Sequence, residues 1–185
     1  MRLPARPVAS PLASIGWKVA GGVATLLAAF LVGGFLLPGT WAAEATRTVG
    51  APPQRVLELL ATPRRWDEWT PADGVTFREQ GPAAGVGARR TWNDPKVGSG
   101  VFVITDVQPR RLLRYRVDVS GGLVTQGTFS LASASDGGTT ITWREEGDFG
   151  RNPLLGWAAL GMQRSQGKAL EGGLERLARV LESGA

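Results

Sequence analysis

Hydrophobic positions in the closing stretch of the chain repeat with the period of an α-helix. Leu170, Leu174, Leu177 and Leu181 are separated by four, three and four positions, while the charged residues of this stretch fall mostly off that stripe. The pattern predicts a long helix over Pro153–Ser183 with one buried face. Its upstream half is poor in large apolar residues on that face.

Glycines thin the middle of this predicted helix. Gly167 lies on the upstream continuation of the stripe, and Gly172 and Gly173 lie beside it. Each glycine in a helix interior costs about 1 kcal/mol relative to alanine, so several together indicate close packing or a deliberate gap. We expect either a helix that covers a cavity or an ordinary core helix with weak positions.

From Gly74 onward the apolar positions alternate with polar ones, and Gly, Pro and Asp interrupt the pattern at short intervals. This alternation is typical of antiparallel strands joined by tight turns. Strands are predicted at 75–79, 88–93, 99–107, 112–120, 123–132 and 139–147, after a short strand at 45–49. The alternation in the fourth of the six assigns one inner face, formed by Leu113, Tyr115, Val117 and Val119.

Two short helices are predicted between the first strand and the meander. Pro52-Pro53 suits a first helical turn and opens a helix over 54–60, which Pro63 ends. A second short turn carries Trp66 and Trp69 on one face. Together with the meander and the closing helix, these elements predict an α+β fold of six to seven curved antiparallel strands, two short helices and a long C-terminal helix.

An apolar segment precedes this domain. Val19 to Leu37 runs for 19 residues without a charge, and at about 1.5 Å per residue it approaches the thickness of the hydrocarbon core. Trp17 and Trp41 flank it at positions where indoles favour the interface. The division predicted is a disordered tail at 1–14, a transmembrane helix at 15–39 and an α+β domain at 44–183.

The same segment could instead be a cleaved signal peptide, because Ala43-Glu44-Ala45 resembles a processing site. The apolar run exceeds the usual signal-peptide length, which favours a retained anchor at the cell membrane. The basic residues before it place the N-terminus in the cytoplasm and the domain outside. Small residues at Gly21, Thr25, Ala29 and Gly33 recur every four positions and predict at most a weak homodimer through this helix.

Composition removes several classes of function. The chain has no Cys and no His, so it has no disulfide and no thiolate nucleophile, and it lacks the commonest general base and metal ligand. The net charge of +5 does not indicate a nucleic-acid partner, because three of the 21 basic residues precede the domain and all 16 acidic residues lie within it. The acidic residues lack metal-site spacing, and no cofactor motif is present, so neither a metal nor a cofactor is predicted.

The order of these segments resembles a known family. The stretches "APPQRVLELL", "RRWDEWTP", "ITDVQPRRLLRY" and "GDFGRNPL" are similar, in order and spacing, to the START-like helix-grip superfamily (SRPBCC). The branch they resemble is named for polyketide cyclases, dehydrases and lipid transport. The resemblance implies a helix-grip domain over 44–183, in which a curved antiparallel sheet grips the long C-terminal helix and a hydrophobic cavity lies between them. It implies no shared catalytic set, so no catalytic residue is assigned.

Glu145 is the most informative candidate residue. Strand parity puts it on the inner face with Ile141 and Trp143, where a carboxylate would be desolvated unless a donor or a cation pairs with it. Arg90 and Tyr115 are the predicted partners. Alternatively, Glu145 lies near the open end of its strand and reaches water, or a bulge turns it outward.

The function predicted is membrane-anchored binding of a small hydrophobic ligand, such as a lipid, a sterol-like or a polyketide-like molecule. One alternative is a cyclase- or dehydratase-like enzyme that uses Glu145 and Tyr115 for acid–base chemistry. Another is an envelope interaction module whose vestigial cavity is filled by its own tryptophans. The predicted cavity residues are Trp69, Arg90, Trp92, Phe102, Tyr115, Val117, Phe129, Trp143, Glu145, Leu160 and Gly167.

Overall fold

The computed structural model describes residues 11–70, 72, 74–150 and 152–183, with side chains from Trp17 onward. Three α-helices and seven strands follow one another along the described part of the chain. The helices are α1 (Pro11–Leu36), α2 (Pro53–Leu60) and α3 (Pro153–Ser183), and a 3₁₀ helix (Pro63–Glu68) follows α2. The strands are β1 (Thr40–Val49), β2 (Phe77–Gln80), β3 (Arg89–Asp94), β4 (Gly98–Gln108), β5 (Leu112–Val119), β6 (Leu123–Ser133) and β7 (Thr139–Asp148).

All seven strands form one antiparallel sheet with the order β1-β7-β6-β5-β4-β3-β2. The long α3 packs on the inner face of this sheet through the predicted leucine stripe, whose members are all buried. The α+β fold, the meander, the two short helical segments and the long closing helix are therefore confirmed. The predicted inner faces of β5, β6 and β7 are correct as well, since Leu113, Phe129 and Ile141 are fully buried.

Two boundaries differ from the prediction. The first strand begins at Thr40 instead of Ala45, and its whole length pairs with β7. Trp41, expected at a bilayer interface, therefore lies in the sheet, buried beside Phe149. The tail predicted to be disordered lies outside the described residues over 1–10, whereas residues 11–14 belong to α1. Proline is accepted at a first helical position, which is why α1 can begin at Pro11.

The N-terminal helix has the composition of a membrane span. Trp17–Leu36 is a 20-residue stretch with a mean hydropathy of 2.1, and almost all of it is exposed. By length and composition it could cross a bilayer, and a signal sequence would pass the same test.

One end of α1 packs on the start of α3. The rings of Phe30 and Trp157 stack with centroids 5.4 Å apart, and the Trp157 Nε1–H donates to the Phe30 carbonyl at 3.1 Å. The backbones approach most closely where Gly34 faces Gly156. Gly33 of the predicted dimerisation stripe lies under Trp157 of the same chain.

Candidate ligand-binding cavity

A cavity of about 460 Å³ lies between the inner face of the sheet and α3. The α3 leucines pack near β1 and β7, at one edge of the curved sheet, and the other half of the inner face is left partly uncovered. The sheet side of the cavity wall consists of Phe77, Arg90, Trp92, Phe102, Tyr115, Val117, Val119, Trp143 and Glu145. The rest comes from α3, the 3₁₀ helix and the loops: Trp66, Thr70, Ala72, Val75, Val97, Gln166, Ala169, Leu170, Gly173 and Arg176.

Most predicted cavity residues lie on this wall. These are Arg90, Trp92, Phe102, Tyr115, Val117, Trp143 and Glu145. Four others lie elsewhere. Trp69 and Phe129 are fully buried beneath the wall, where Trp69 packs at ring-centroid distances of 6.1 Å from Phe129 and 5.4 Å from Trp143.

Leu160 and Gly167 lie away from the cavity because they point in other directions than the α3 residues that line it. Leu160 is exposed, and Gly167 lies beside β1. The close approach expected from the helix glycines is made by Gly173, which follows Gly167 by about one and a half turns. A Cβ on Gly173 would lie 2.6 Å from the Trp143 ring. Gly173 therefore lets the indole lie directly under the helix.

Glu145 is held inside the wall by donors from two elements. Only 7% of its surface is exposed. Its Oε1 accepts a hydrogen bond from the Tyr115 hydroxyl, and its Oε2 accepts one from the Gln166 amide of α3. The Trp143 Nε1–H in turn donates to the Tyr115 oxygen at 2.8 Å. The predicted inward orientation of Glu145 and its pairing with Tyr115 are what the structure has.

A missing side chain on β6 makes this contact possible. Gly127 is paired with Tyr115 on one side and with Glu145 on the other. A Cβ on Gly127 would lie only 1.9 Å from the Tyr115 ring. The tyrosine can therefore lie flat across β6 and reach the carboxylate two strands away.

Burial raises the pKa of Glu145 above its usual value of 4.5, although the hydrogen bonds from Tyr115 and Gln166 oppose the shift. The pKa of Tyr115 is raised well above its usual value, first by burial and then by the nearby carboxylate. The cavity thus contains a carboxyl group that keeps its proton to a higher pH than an exposed one, next to a tyrosine that stays neutral.

We expect the substitution Glu145→Gln to change how stability depends on pH. In the folded chain Glu145 loses its proton at a higher pH than in the unfolded chain, so its contribution to stability is present at low pH and is lost as pH rises through the raised pKa. As pH rises from about 4.5, the usual value, through the raised pKa, the E145Q variant should therefore gain stability relative to the wild type. Chemical unfolding at several pH values measures the difference.

The matched control is Glu146→Gln. Glu146 is the next residue of β7, and its exposed side chain pairs with Arg144 on the outer face. Its substitution should leave the pH dependence of the wild type in place. Equal slopes for wild type and E145Q would contradict the raised pKa.

Arg90 is the second charged group of the wall, and it does not pair with Glu145 as one prediction had it. Its Nη1 donates to Asp67 at 2.7 Å, and its guanidinium lies 4.1 Å above the centre of the Phe77 ring. The 3₁₀ helix brings Asp67 to β3, so the arginine is already neutralised from the outside. Burial lowers the Arg90 pKa, and Asp67 opposes this shift.

Residues 40–182 match the family model described as polyketide cyclase / dehydrase and lipid transport. The chain belongs to this family. A search of curated proteins finds no match.

Solved structures have the same fold as this member of the polyketide cyclase/dehydrase and lipid transport family. DynU16, described as a protein of the dynemicin biosynthetic locus, is 23% identical with a TM-score of 0.56; the match covers 77% of this chain and about half, 48%, of DynU16. Mll3558 from Rhizobium loti is 21% identical with a TM-score of 0.55, over 76% of this chain and 96% of that one.

CalU16 from Micromonospora echinospora is more distant in sequence. It is 15% identical with a TM-score of 0.52, over 76% of this chain and 75% of its own. At such identities these likenesses show the fold alone, and the function of this family member has to be argued from its own cavity.

Three polar wall contacts of this family member were missed by sequence reasoning. Gln166 bonds to Glu145, Asp67 bonds to Arg90, and the Arg176 Nε–H donates to the Trp69 carbonyl at 2.7 Å. The partners are 21, 23 and 107 positions apart in the chain, respectively. The helical period could have placed Gln166 near the buried stripe, since it lies four positions before Leu170. No local pattern indicates the other two.

Proposed function

We propose that this protein binds a small, mostly apolar molecule in the cavity between the sheet and α3, with Glu145 as the polar contact that orients it. The observation that carries the proposal is the buried Glu145–Tyr115–Gln166 group on the wall of an otherwise largely apolar, aromatic cavity. Ligand sites commonly combine apolar walls with a few placed polar groups. Family membership and fold are compatible with this role.

The chemistry of the wall restricts the ligand. The Glu145 carboxyl, in its protonated form, can donate to a carbonyl or ether oxygen, and in its ionised form it can accept from a hydroxyl. The Arg90 charge is matched by Asp67, which lies outside the cavity, so Arg90 adds little attraction for an anionic guest. A lipid-like, sterol-like or polyketide-like molecule with a neutral oxygen group fits best.

We further propose that α1 stays attached and anchors the domain at the cell membrane, with the N-terminus in the cytoplasm. The alternative processing site, Ala43-Glu44-Ala45, lies within β1, whose residues from Thr40 to Val49 all pair with β7. Cleavage there would remove more than half of this edge strand, including Trp41. An anchored pocket also suits a ligand that partitions into lipid. Tethering raises the effective concentration of the binding site next to the bilayer that holds the ligand.

The substitution Val117→Trp tests ligand binding. Val117 lies on the cavity wall, so an indole there should fill the space and exclude a guest without disturbing the core below. An apolar compound extracted from the purified full chain and detected by mass spectrometry should disappear in V117W, while the melting temperature stays close to that of the wild type. A compound that is absent from the wild type, or equally abundant in both, would contradict the proposal.

A second candidate function is a cyclase- or dehydratase-like reaction. The observation that favours it is the raised pKa of Glu145 beside a neutral tyrosine, an arrangement that suits general acid catalysis. The E145Q variant separates the two functions. It should lose turnover of a bound compound if the site is catalytic, and it should only change affinity modestly if the site merely binds.

A further inference from the structure

The first turns of α3 lie against the last turns of α1. Besides the stacked rings and the bond from Trp157 to the Phe30 carbonyl, Gly34 and Gly156 bring the two backbones together. A Cβ on Gly34 would lie 1.9 Å from the Pro153 carbonyl oxygen, so any larger residue would separate the helices. The two segments are therefore docked side by side.

This contact fixes the depth of α3 relative to any membrane that α1 crosses. The apolar stretch Trp17–Leu36 has 20 residues, which as a helix measures roughly 30 Å, the thickness of the hydrocarbon core. The α1 residues that touch α3 lie in its last two turns, the final 10 Å or so of that length. Whatever packs there lies within the outer 10 Å or so of the hydrocarbon core, up to its boundary with the headgroups.

The composition of the start of α3 suits that depth. Residues 152–163 contain no charged side chain, whereas charged residues recur from Arg164 onward. Leu154, Trp157 and Leu160 are 58%, 40% and 53% exposed. Three large apolar side chains presented to water on two adjacent turns are unusual for a surface helix, and a partly exposed indole favours a lipid interface.

We propose that the first turns of α3, Pro153–Met162, form a second membrane-contacting segment that lies in the outer interface of the bilayer beside α1. The inference rests on the proposed anchor, because it takes its depth from α1. A lipid surface is the occupant favoured over a second copy of the chain, since these side chains extend the exposed apolar surface of α1 itself and include an interfacial indole. The stretch 152–163 itself carries no charged side chain that would oppose insertion.

The segment also relates the bilayer to the cavity. Gln166 and Ala169, which line the cavity, follow Met162 on the same helix within two turns, or about 10 Å. The helix that roofs the cavity thus begins in the interface. A lipophilic guest has only a short distance to travel between the acyl chains and the site.

The lack of cysteine allows a direct test with single-cysteine variants of the full chain. L154C and L160C carry an environment-sensitive fluorophore, and the protein is reconstituted in phosphatidylcholine–phosphatidylglycerol vesicles with doxyl-labelled lipids as quenchers. The matched control is V86C. Val86 is 58% exposed, as is Leu154, but it lies between β2 and β3, at the sheet edge opposite the β1 edge that follows α1. L26C, on an exposed face of α1, reports the anchor.

We expect blue-shifted emission and quenching by the doxyl lipids at positions 26, 154 and 160, and neither change at position 86. Quenching at 26 without quenching at 154 and 160 would overturn the interfacial segment while leaving the anchor intact. Blue-shifted but unquenched labels at 154 and 160 would indicate a protein partner and would also overturn it. Lack of quenching at 26 would overturn the anchor and, with it, this inference.

Discussion

Replacing Trp69 with alanine should lower the free energy of unfolding by about 3–5 kcal/mol, the range for removing a large aromatic side chain from a core. The indole is fully buried and packs on Trp66 with ring centroids 4.8 Å apart, as well as on Phe129 and Trp143. It supports the cavity wall from below. Chemical unfolding of the full chain in detergent, followed by circular dichroism, measures the loss.

The matched variant is Trp69→Phe. Within the described part of the chain, the buried Nε1–H of Trp69 has no hydrogen-bond partner, so phenylalanine removes an unsatisfied donor while keeping an aromatic ring. W69F should be clearly more stable than W69A. A loss below about 1 kcal/mol in W69A, the size typical of an average substitution, would contradict the packing described.

The substitution Gly127→Ala should be the second most damaging. The new methyl group would overlap the Tyr115 ring, which is enclosed by Trp66, Phe102 and Phe129 and cannot simply rotate away. Overpacking of this kind costs about 1–3 kcal/mol. Displacing the tyrosine also removes a donor from the buried Glu145, which adds to the loss.

The control for G127A is Gly167→Ala in α3, and its effect should have the opposite sign. A Cβ on Gly167 meets nothing within 4 Å, so alanine gains helix propensity, up to about 1 kcal/mol, without a clash. Unfolding measurements on both variants test the contrast. A neutral G127A would show that Tyr115 does not lie across β6.

The sheet and the closing helix could be predicted because their signals are local. Alternation of apolar and polar residues determined the inner faces of β5 to β7, and this parity alone placed Glu145 inside. The leucine stripe ending at Leu181 likewise identified the buried face of α3. A strand that packs by one face needs an apolar residue at every second position, and a helix that packs by one face needs one apolar stripe.

The position of the cavity could not be predicted to the same degree, because it depends on how the sheet curves and where α3 crosses it. Parity puts Phe129 and Val117 on the same face, but only the packing decides that the first lies in the core and the second on the wall. The period of α3 does not show that Leu160 lies beyond the cavity. The Arg90–Asp67 pair joins segments 23 residues apart and has no local signature.

The most direct test of a ligand held at Glu145 is a crystal structure of the full chain purified from a membrane with its bound compound. We expect continuous density for an apolar guest in the cavity, with one of its oxygen atoms about 2.5–3.2 Å from the Glu145 carboxyl group. A cavity occupied by the protein's own side chains, or a guest bound elsewhere with Glu145 contacting only Tyr115 and Gln166, would contradict the account.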